Sequence, residues 1–261
     1  TPRSSSAASD VYKRQALGAL GFGFLEVGTV TPRPQLGNPK PRVFRNFHEN
    51  SIINRLGFNN KGIDYMVNNL KKRKFDGVVG VNIGANKSSE GIERINDYLL
   101  CIEKIHKLAD YITINISSPN TPDLRDLHLK ENLQNLITSV EKKIDEVKFT
   151  KPVFLKISPD ETDESIEMIV DLVNNSSFTG LIATNTTIEK DNLSNKKLKK
   201  EAGGVSGQPL MEKSTNKILL IRSKCPDIPL IGVGGVISKD DYISKINAGA
   251  DLVQIYTGFI I

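Results

Sequence analysis

The sequence has few of the residues that build disulfide or metal frameworks. Of its 261 residues only two are cysteine and three are histidine. Cys101 and Cys225 lie far apart, inside apparent helices. This pattern excludes a disulfide framework and a zinc-type ligand set. No metal is therefore expected, and the free thiols indicate a reducing compartment.

Long apolar runs and strong charge are missing as well. No stretch reaches the roughly 18 apolar residues that a membrane-spanning helix needs, and no signal peptide is evident. The net charge of +5 is modest. The lysines are scattered over helical faces without interleaved aromatic residues, so nucleic-acid binding is not expected.

Short apolar runs, rich in Val, Ile and Leu, recur at regular intervals and predict strands. They are mostly continuous, which is typical of a parallel sheet covered on both faces. The predicted strands are Phe24–Val30, Gly77–Asn82, Tyr111–Asn115, Val153–Ile157, Gly180–Thr184, Pro229–Val233 and Asp251–Tyr256. The predicted helices between them are Gly62–Lys72, Gly91–Lys107, Lys130–Val147, Ser165–Asn174, Ser214–Lys224 and Lys239–Asn247.

A repeating βα pattern of this kind fits either a doubly wound sheet or a barrel. Polar residues or glycines follow every predicted strand, whereas an open sheet concentrates its ligand at one switch point. We therefore predict an α/β fold, a (β/α)8 TIM barrel that lacks its first strand and its last helix. Residues 1–15 show neither helical nor strand periodicity, and we interpret them as foreign or disordered. Residues 16–261 are predicted to form a single, incomplete barrel domain, a fragment that would itself be inactive or badly compromised.

The segment Asn115–Thr121 carries the most specific chemistry. Amides and hydroxyls cluster where the run Tyr111–Asn115 ends, and Pro119 stops the strand because it has no N–H and a fixed φ. Such a cluster suits a flat, amide-rich ligand. Taken alone, however, each asparagine could be a cap or turn residue, and Ser118 a turn hydroxyl that bonds its own backbone.

Nine sequence blocks, in this order, resemble the class 2 dihydroorotate dehydrogenases, which depend on FMN and reduce a quinone. The resemblance covers roughly residues 16–261. The blocks are Gly28–Gln35 with Gly37–Pro39 and Pro41–Arg45, Asn54–Asn59, Val81–Gly84 with Asn86 and Lys87, Asn115–Pro122, Lys156–Asp160, Thr184–Thr187, Gly203–Leu210, Gly232–Gly235 and Gln254–Thr257.

The resemblance implies oxidation of dihydroorotate to orotate in de novo pyrimidine (UMP) biosynthesis. A base removes the C5 proton, hydride leaves C6 for the flavin, and a quinone takes the electrons. Ser118 matches the catalytic base, where class 1 enzymes have cysteine. The substrate-binding positions that match are Asn54, Arg55, Leu56, Gly57, Phe58, Asn115, Asn120, Asn185 and Thr186.

The matching FMN contacts are Thr29, Asn82, Asn115, Lys156, Thr184, Gly207, Gly235, Tyr256 and Thr257. Lys156 would stabilise negative charge at flavin N1 and O2 after hydride arrives, whereas taken alone it could be a strand-end lysine that reaches solvent. Glycines let backbone N–H groups approach a phosphate, and barrels commonly bind phosphate after their last two strands.

Two features depart from the family pattern. Asp123 stands where members usually have glycine, in a mobile loop that closes over the substrate. The family's first strand and its N-terminal membrane-docking helices are also missing from the sequence. Members of the class associate peripherally with the bacterial inner membrane on its cytoplasmic side, or with the mitochondrial inner membrane in eukaryotes, and the same is expected here.

Three alternatives remain open. One is another FMN-dependent pyrimidine oxidoreductase, although those use a cysteine that is absent after Asn115. A second is a non-redox phosphate-binding barrel, an isomerase or aldolase that uses Lys156 as a base or Schiff-base amine. A third is a remnant that binds ligand without turnover.

Overall fold

The computed structural model describes residues 20–120 and 129–261. Strands and helices alternate over most of these ranges. The strands are β1 Phe24–Val30, β2 Val43–Asn46, β3 Ser51–Asn54, β4 Val78–Ile83, β5 Tyr111–Asn115, β6 Val153–Ile157, β7 Gly180–Ala183, β8 Gly204–Gly207, β9 Leu230–Val233 and β10 Leu252–Gln254. The α-helices are α1 Ile63–Lys71, α2 Ile92–Ile105, α3 Lys130–Glu146, α4 Asp163–Asn174, α5 Lys196–Lys199, α6 Met211–Lys224, α7 Lys239–Asn247 and α8 Thr257–Ile260.

The seven predicted strands are all present in one sheet, in the order β1-β4-β5-β6-β7-β9-β10. The pairs β1–β4, β4–β5, β7–β9 and β9–β10 are parallel. Three strands have the predicted bounds, and the others differ by one or two residues at an end. Continuous apolar runs thus specified a parallel α/β sheet, as expected of strands buried on both faces.

A second, antiparallel sheet of three strands was not predicted. It has the order β2-β3-β8, with Val43 opposite Asn54 and Asn54 opposite Gly204. Each strand is only four residues long, and β8 begins and ends with glycine, a residue depleted in strands. The pairing is set by tertiary contacts, because no periodic apolar pattern marks these segments.

The described residues form two compact units. Unit 1 comprises residues 20–37, 58–115 and 135–154, and unit 2 comprises 38–57, 116–120, 129–134 and 155–261. That residues 16–261 form one domain, and that 1–15 lie outside it, stays a prediction. The absence of a first strand and a last helix likewise stays a prediction.

The core of each unit consists of apolar strand residues packed with helix residues. In unit 1 these include Val79, Val81, Ile102 and Ile112, and in unit 2 Ile169, Leu181, Ile218 and Leu230, all fully or almost fully buried. Within residues 20–120 and 129–261, no helix is both long and apolar enough to span a membrane.

Local capping explains where two unit 2 helices begin. The Thr162 side chain accepts a hydrogen bond from Ser165 N, so α4 begins two residues earlier than predicted. Ser238 and Asp241 form a reciprocal capping box at the start of α7, which has its predicted bounds. Both caps satisfy backbone N–H groups that a helix leaves unpaired.

Candidate active site

Unit 1 carries a polar network on three adjacent parallel strands. Thr29 lies on β1, Asn82 on β4 and Asn115 at the end of β5. Thr29 Oγ1 donates to Asn82 Oδ1 at 2.7 Å. Asn115 Nδ2 donates to the same Asn82 oxygen at 3.2 Å and to Thr29 Oγ1 at 3.0 Å. Three of the predicted cofactor contacts are therefore brought together within this unit.

The network ends on a carboxylate, Glu26, which sequence reasoning missed. Asn82 Nδ2 donates to Glu26 Oε1 at 2.8 Å. Thr113 Oγ1 and Tyr111 Oη donate to Glu26 Oε2 at 2.8 and 3.2 Å. An ionised carboxylate can only accept hydrogen bonds, so Glu26 holds the Asn82 amide with its nitrogen toward the carboxylate and its oxygen toward Thr29. The sequence feature that could have pointed to Glu26 is its position as a single charged residue within the apolar run of β1.

Close packing holds Tyr111 in this network. Gly80 on β4 lies opposite Tyr111 on β5, and a Cβ at Gly80 would come within 2.0 Å of the tyrosine ring. Phe24 and Phe154 contact the same ring edge-on, with centroids 6.3 and 5.8 Å away. The space that a side chain at position 80 would fill is thus occupied by the ring of Tyr111.

Unit 2 carries a cluster of neutral asparagines. Asn120 Nδ2 donates to Asn54 O at 3.1 Å and to Asn54 Oδ1 at 3.4 Å. Asn38 Nδ2 donates to Asn120 O at 3.3 Å. The structure thus brings together two predicted substrate residues, Asn54 and Asn120. It adds Asn38, which lies in a conspicuous Gly-Asn-Pro block but was not singled out.

Ser118, the predicted base, lies in the same unit and is 4% exposed. Its Oγ accepts a hydrogen bond from Asn120 N at 3.2 Å, a contact typical of a turn hydroxyl. This bond uses a lone pair of the oxygen. Ser118 therefore makes the contact expected of a turn hydroxyl, and its catalytic role stays a prediction.

The predicted pair Asn185 and Thr186 follows β7. Asn185 Nδ2 donates to Ser117 Oγ at 3.0 Å, and Asn185 Oδ1 accepts from Thr186 N at 2.7 Å. Both polar ends of this amide therefore have defined partners. Gly204 allows Thr186 to approach closely, since a Cβ at Gly204 would lie 2.0 Å from Thr186 Oγ1.

A half-buried ion pair anchors the next residues of that loop. Asp160 Oδ1 accepts from Lys213 Nζ at 2.9 Å and from Thr187 Oγ1, and Asp160 Oδ2 accepts from Ile188 N at 3.0 Å. Burial alone would raise the pKa of the Asp160 carboxyl, but Lys213, Thr187 and the Ile188 N–H hold that pKa below its ordinary value. The charge of Asp160 thus fixes the residues that follow Thr186.

The segment from Arg55 to Phe58 was expected to offer backbone groups and a wall to the substrate. The Arg55 guanidinium pairs with Glu201 at 2.8 Å and lies 4.6 Å from the Phe44 ring centroid. Its side chain is thus held within unit 2 by other partners. Leu56 N donates to Asn54 Oδ1 at 3.4 Å.

Gly57 and Phe58 have a left-handed backbone, with φ of 67° and 52°. At Gly57 a Cβ would lie 2.9 Å from the Asn38 side chain, so this position accommodates only glycine without rearrangement. Phe58 belongs to unit 1. A Cβ on Gly84 would lie 3.1 Å from the Phe58 ring, which places the ring close to that turn.

The remaining predicted cofactor residues lie in unit 2. Lys156 is half-buried in β6, one residue before the strand ends. Thr184 was predicted to end a strand but follows β7, which ends at Ala183. Its side chain is buried and donates to Asn185 O at 3.0 Å.

The predicted phosphate contacts are two glycines and a pair of residues at the start of α8. Gly207 and Gly235 have φ of 92° and 82°, and a Cβ at Gly235 would lie 2.3 Å from Met211 Cα. Thr257 is buried and its Oγ1 donates to Ser206 Oγ at 2.9 Å. Tyr256 is exposed and follows β10, which ends earlier than predicted. Thr121 and Asp123 lie outside the described residues.

Comparisons with known proteins give a consistent result. The family model for dihydroorotate dehydrogenase matches residues 5–261. A curated relative from a Marinomonas species, named dihydroorotate dehydrogenase (quinone), is 49% identical over 251 residues, which are 94% of this chain and 72% of the relative. A protein of the same name from Legionella pneumophila is 46% identical over 250 residues, covering 94% of this chain and 75% of its own.

Solved structures agree with the fold. A crystal structure of DHODH from Eimeria tenella in complex with ferulenol has a TM-score of 0.87 and 36% identity, covering 92% of this chain and 71% of its own. The ligand-free form has a TM-score of 0.85 at the same identity. Together with the parallel sheet, these likenesses establish an α/β, TIM-barrel-like fold. The chain therefore belongs to the dihydroorotate dehydrogenase family, in its quinone-linked class 2.

Proposed function

We propose that this protein oxidises dihydroorotate to orotate in pyrimidine biosynthesis and passes the electrons to a quinone. Its relatives are named dihydroorotate dehydrogenase (quinone). The observation that carries the proposal at the level of the site is the cluster of neutral asparagines in unit 2, with the buried Ser118 hydroxyl hydrogen-bonded to Asn120 N.

The asparagine cluster suits the substrate chemically. Orotate presents alternating C=O and N–H groups along its ring together with a carboxylate, and an amide side chain offers one acceptor and two donors. Neutral amides read such a pattern without placing a charge beside the ring. Asn54, Asn120 and Asn185 orient the substrate in this proposal, with Thr186 beside them and the backbone of Arg55–Gly57 contributing further contacts.

Ser118 takes the C5 proton. A serine hydroxyl is a weak base, so it needs a desolvated setting and a route for its own proton. The side chain is 4% exposed, and the Asn120 N–H at 3.2 Å orients Oγ without using its proton. A water relay then takes up the proton that the Ser118 hydroxyl releases.

The described residues fit FMN as cofactor. In unit 2, Gly207 and Gly235 adopt conformations that favour glycine and approach neighbouring backbone closely. Glycines at such positions can let backbone N–H groups approach a phosphate. Thr257 and Tyr256 would complete the phosphate contacts, and Lys156 and Thr184 would contact the ring system. In unit 1, the resemblance assigns Thr29, Asn82 and Asn115 to the same cofactor.

When bound, the flavin would supply the hydride acceptor for C6 and the route by which the electrons pass on to the quinone. Lys156 supplies a cation where negative charge develops. Peripheral association with the inner membrane, on its cytoplasmic side, is part of this proposal by family resemblance alone.

The test is anaerobic mixing of the purified flavoprotein with dihydroorotate, in wild type and Ser118→Ala. We expect the visible absorbance of oxidised flavin to disappear in wild type and to do so about 10²- to 10⁴-fold more slowly in the variant, the usual contribution of an acid–base group. Ser139→Ala, which removes an exposed helix hydroxyl, is the matched control and should react as wild type does.

Two outcomes would contradict the proposal. A yellow protein whose flavin is not reduced by dihydroorotate would support a bound flavin but show that the substrate is a different molecule. A folded protein that binds no flavin would instead favour a lysine-dependent barrel that uses Lys156 in an isomerase or aldolase reaction.

A further inference from the structure

Lys245 is a fully buried lysine that the proposed reaction does not use. It lies on α7, with an exposed fraction of 0%. Among residues 20–120 and 129–261 no carboxylate forms an ion pair with it, since its three hydrogen bonds all go to neutral oxygens. A buried lysine without a paired charge is costly, so the position calls for an explanation.

All three of its acceptors belong to the first turns of α6. Lys245 Nζ donates to Ser214 Oγ at 2.5 Å, to Thr215 Oγ1 at 2.8 Å and to Met211 O at 3.3 Å. These bonds use every N–H of an ammonium group. Lys245 therefore fixes the start of α6 through side chains and backbone together.

The start of α6 supports the glycine turn that follows β9. Ser214 Oγ, which accepts from Lys245, has its own proton available for Gly234 O at 2.9 Å or Met211 O at 3.1 Å. A Cβ at Gly234 would lie 2.9 Å from Ser214 Oγ, and one at Gly235 would lie 2.3 Å from Met211 Cα. The glycine turn thus rests directly on the residues that Lys245 holds.

We propose that Lys245 is a positioning residue for the phosphate of the cofactor, acting through Ser214 and Met211 on the Gly234–Gly235 turn. It acts through its hydrogen bonds to the residues on which that turn packs. The inference rests on the proposed function, because it takes the anion to be the phosphate of FMN.

The buried surroundings of Lys245 make its charge sensitive to nearby groups. Burial lowers the pKa of Lys245 to about 7, and the Asp241 carboxylate on the same helix opposes the shift. Asp241 is itself held by Ser238 and by the Ile237 N–H in the capping box. An anion bound nearby would favour the protonated form of Lys245.

The test compares FMN with riboflavin, which lacks the phosphate, for binding to protein stripped of flavin. Flavin fluorescence quenching gives the two dissociation constants. For Lys245→Met we expect the constant for FMN to rise about tenfold or more and that for riboflavin to stay as in wild type. Lys239→Met removes an exposed lysine of the same helix and should change neither constant.

Equal weakening of both ligands, or no change in either, would overturn the inference and leave Lys245 a purely structural residue. Wild-type protein that binds neither flavin would instead contradict the proposed function. Should Lys245→Met fail to fold, Ser214→Ala decides the question, because it breaks the link to Gly234 while keeping the lysine. For Ser214→Ala the inference predicts a higher dissociation constant for FMN, by a smaller factor than for Lys245→Met, and an unchanged constant for riboflavin.

Discussion

The two polar networks of this protein are built differently. In unit 1 the network consists of residues on strands and ends on the carboxylate of Glu26, which accepts hydrogen bonds from Asn82, Tyr111 and Thr113. In unit 2 the cluster around Asn54 and Asn120 is formed by neutral amides. Asn54 ends strand β3, Asn120 lies outside the strands, and the amide nitrogen of Asn120 donates to the backbone oxygen of Asn54.

The difference indicates different tasks. Strand residues anchored on a charge are held rigidly and suit a permanently bound cofactor. Amides at the end of a short strand or in a loop, with neutral partners, are easier to rearrange, and binding residues commonly lie where loops leave a rigid scaffold. The charge-anchored network should therefore matter most for stability and flavin retention, and the amide cluster for the substrate.

The largest effect is expected from Glu26→Gln. The amide keeps the size of the side chain but turns an N–H₂ group toward donors that need an acceptor. Hydrogen bonds to a charged group contribute about 1.5–3 kcal/mol each, so we expect the free energy of unfolding to fall by about 3 kcal/mol and flavin to be lost during purification. Denaturant unfolding and the flavin-to-protein ratio measure the two effects.

Glu90→Gln is the matched control, because Glu90 is an exposed glutamate of unit 1. It should leave both quantities unchanged. If Glu26→Gln behaved like this control, the idea of a charge-anchored network would be wrong.

An intermediate effect is expected from Asn120→Asp. The carboxylate keeps the shape of the amide but replaces its donor by an acceptor opposite Asn54 O, and it adds a negative charge near an anionic substrate. We expect the KM for dihydroorotate to rise about ten- to a hundredfold, or about 1.4–3 kcal/mol, while flavin content stays at the wild-type level. Steady-state kinetics with a quinone acceptor gives the KM.

Flavin loss in Asn120→Asp would contradict the division of tasks between the two networks. Asn59→Asp adds the same charge by the same change outside the cluster and serves as the control. It should leave the KM for dihydroorotate close to the wild-type value.

The smallest effect is expected from Asp160→Asn. The pKa of Asp160 is lowered in the folded protein, so the carboxylate contributes stability above its unfolded pKa, and this contribution is lost as pH falls through the folded value. We expect the variant to be about 1 kcal/mol less stable at pH 7, with the difference shrinking as pH falls below 3.8, the ordinary value. Urea unfolding across a pH series measures it.

Asp163→Asn is the matched comparison within unit 2. Asp163 pairs with Lys217 at 2.7 Å, but its side chain is 68% exposed, whereas that of Asp160 is 9% exposed. Exposed ion pairs contribute little. A difference between wild type and Asp160→Asn that is independent of pH would contradict the assignment to its charge.

The proximity of several candidate residues could be expected from the sequence, because they sit in recognisable sequence blocks. Asn54 and Asn120 meet in unit 2, and Thr29, Asn82 and Asn115 meet in unit 1, as expected of residues that serve shared ligands. Their functional roles stay predictions. Glu26 and Asn38 were missed, since a single charge within an apolar run and an asparagine in a turn are both common in proteins without any functional role.

The sequence by itself determined the alternation of strands and helices and the membership of the family, because apolar periodicity and short motifs are local properties of the chain. Only the tertiary structure decided that β2, β3 and β8 pair, that Glu26 accepts from Asn82, and that the buried Lys245 donates to Ser214 at the start of α6. These features join residues that lie far apart along the chain. Packing sets such contacts, and no pattern within a single segment encodes them.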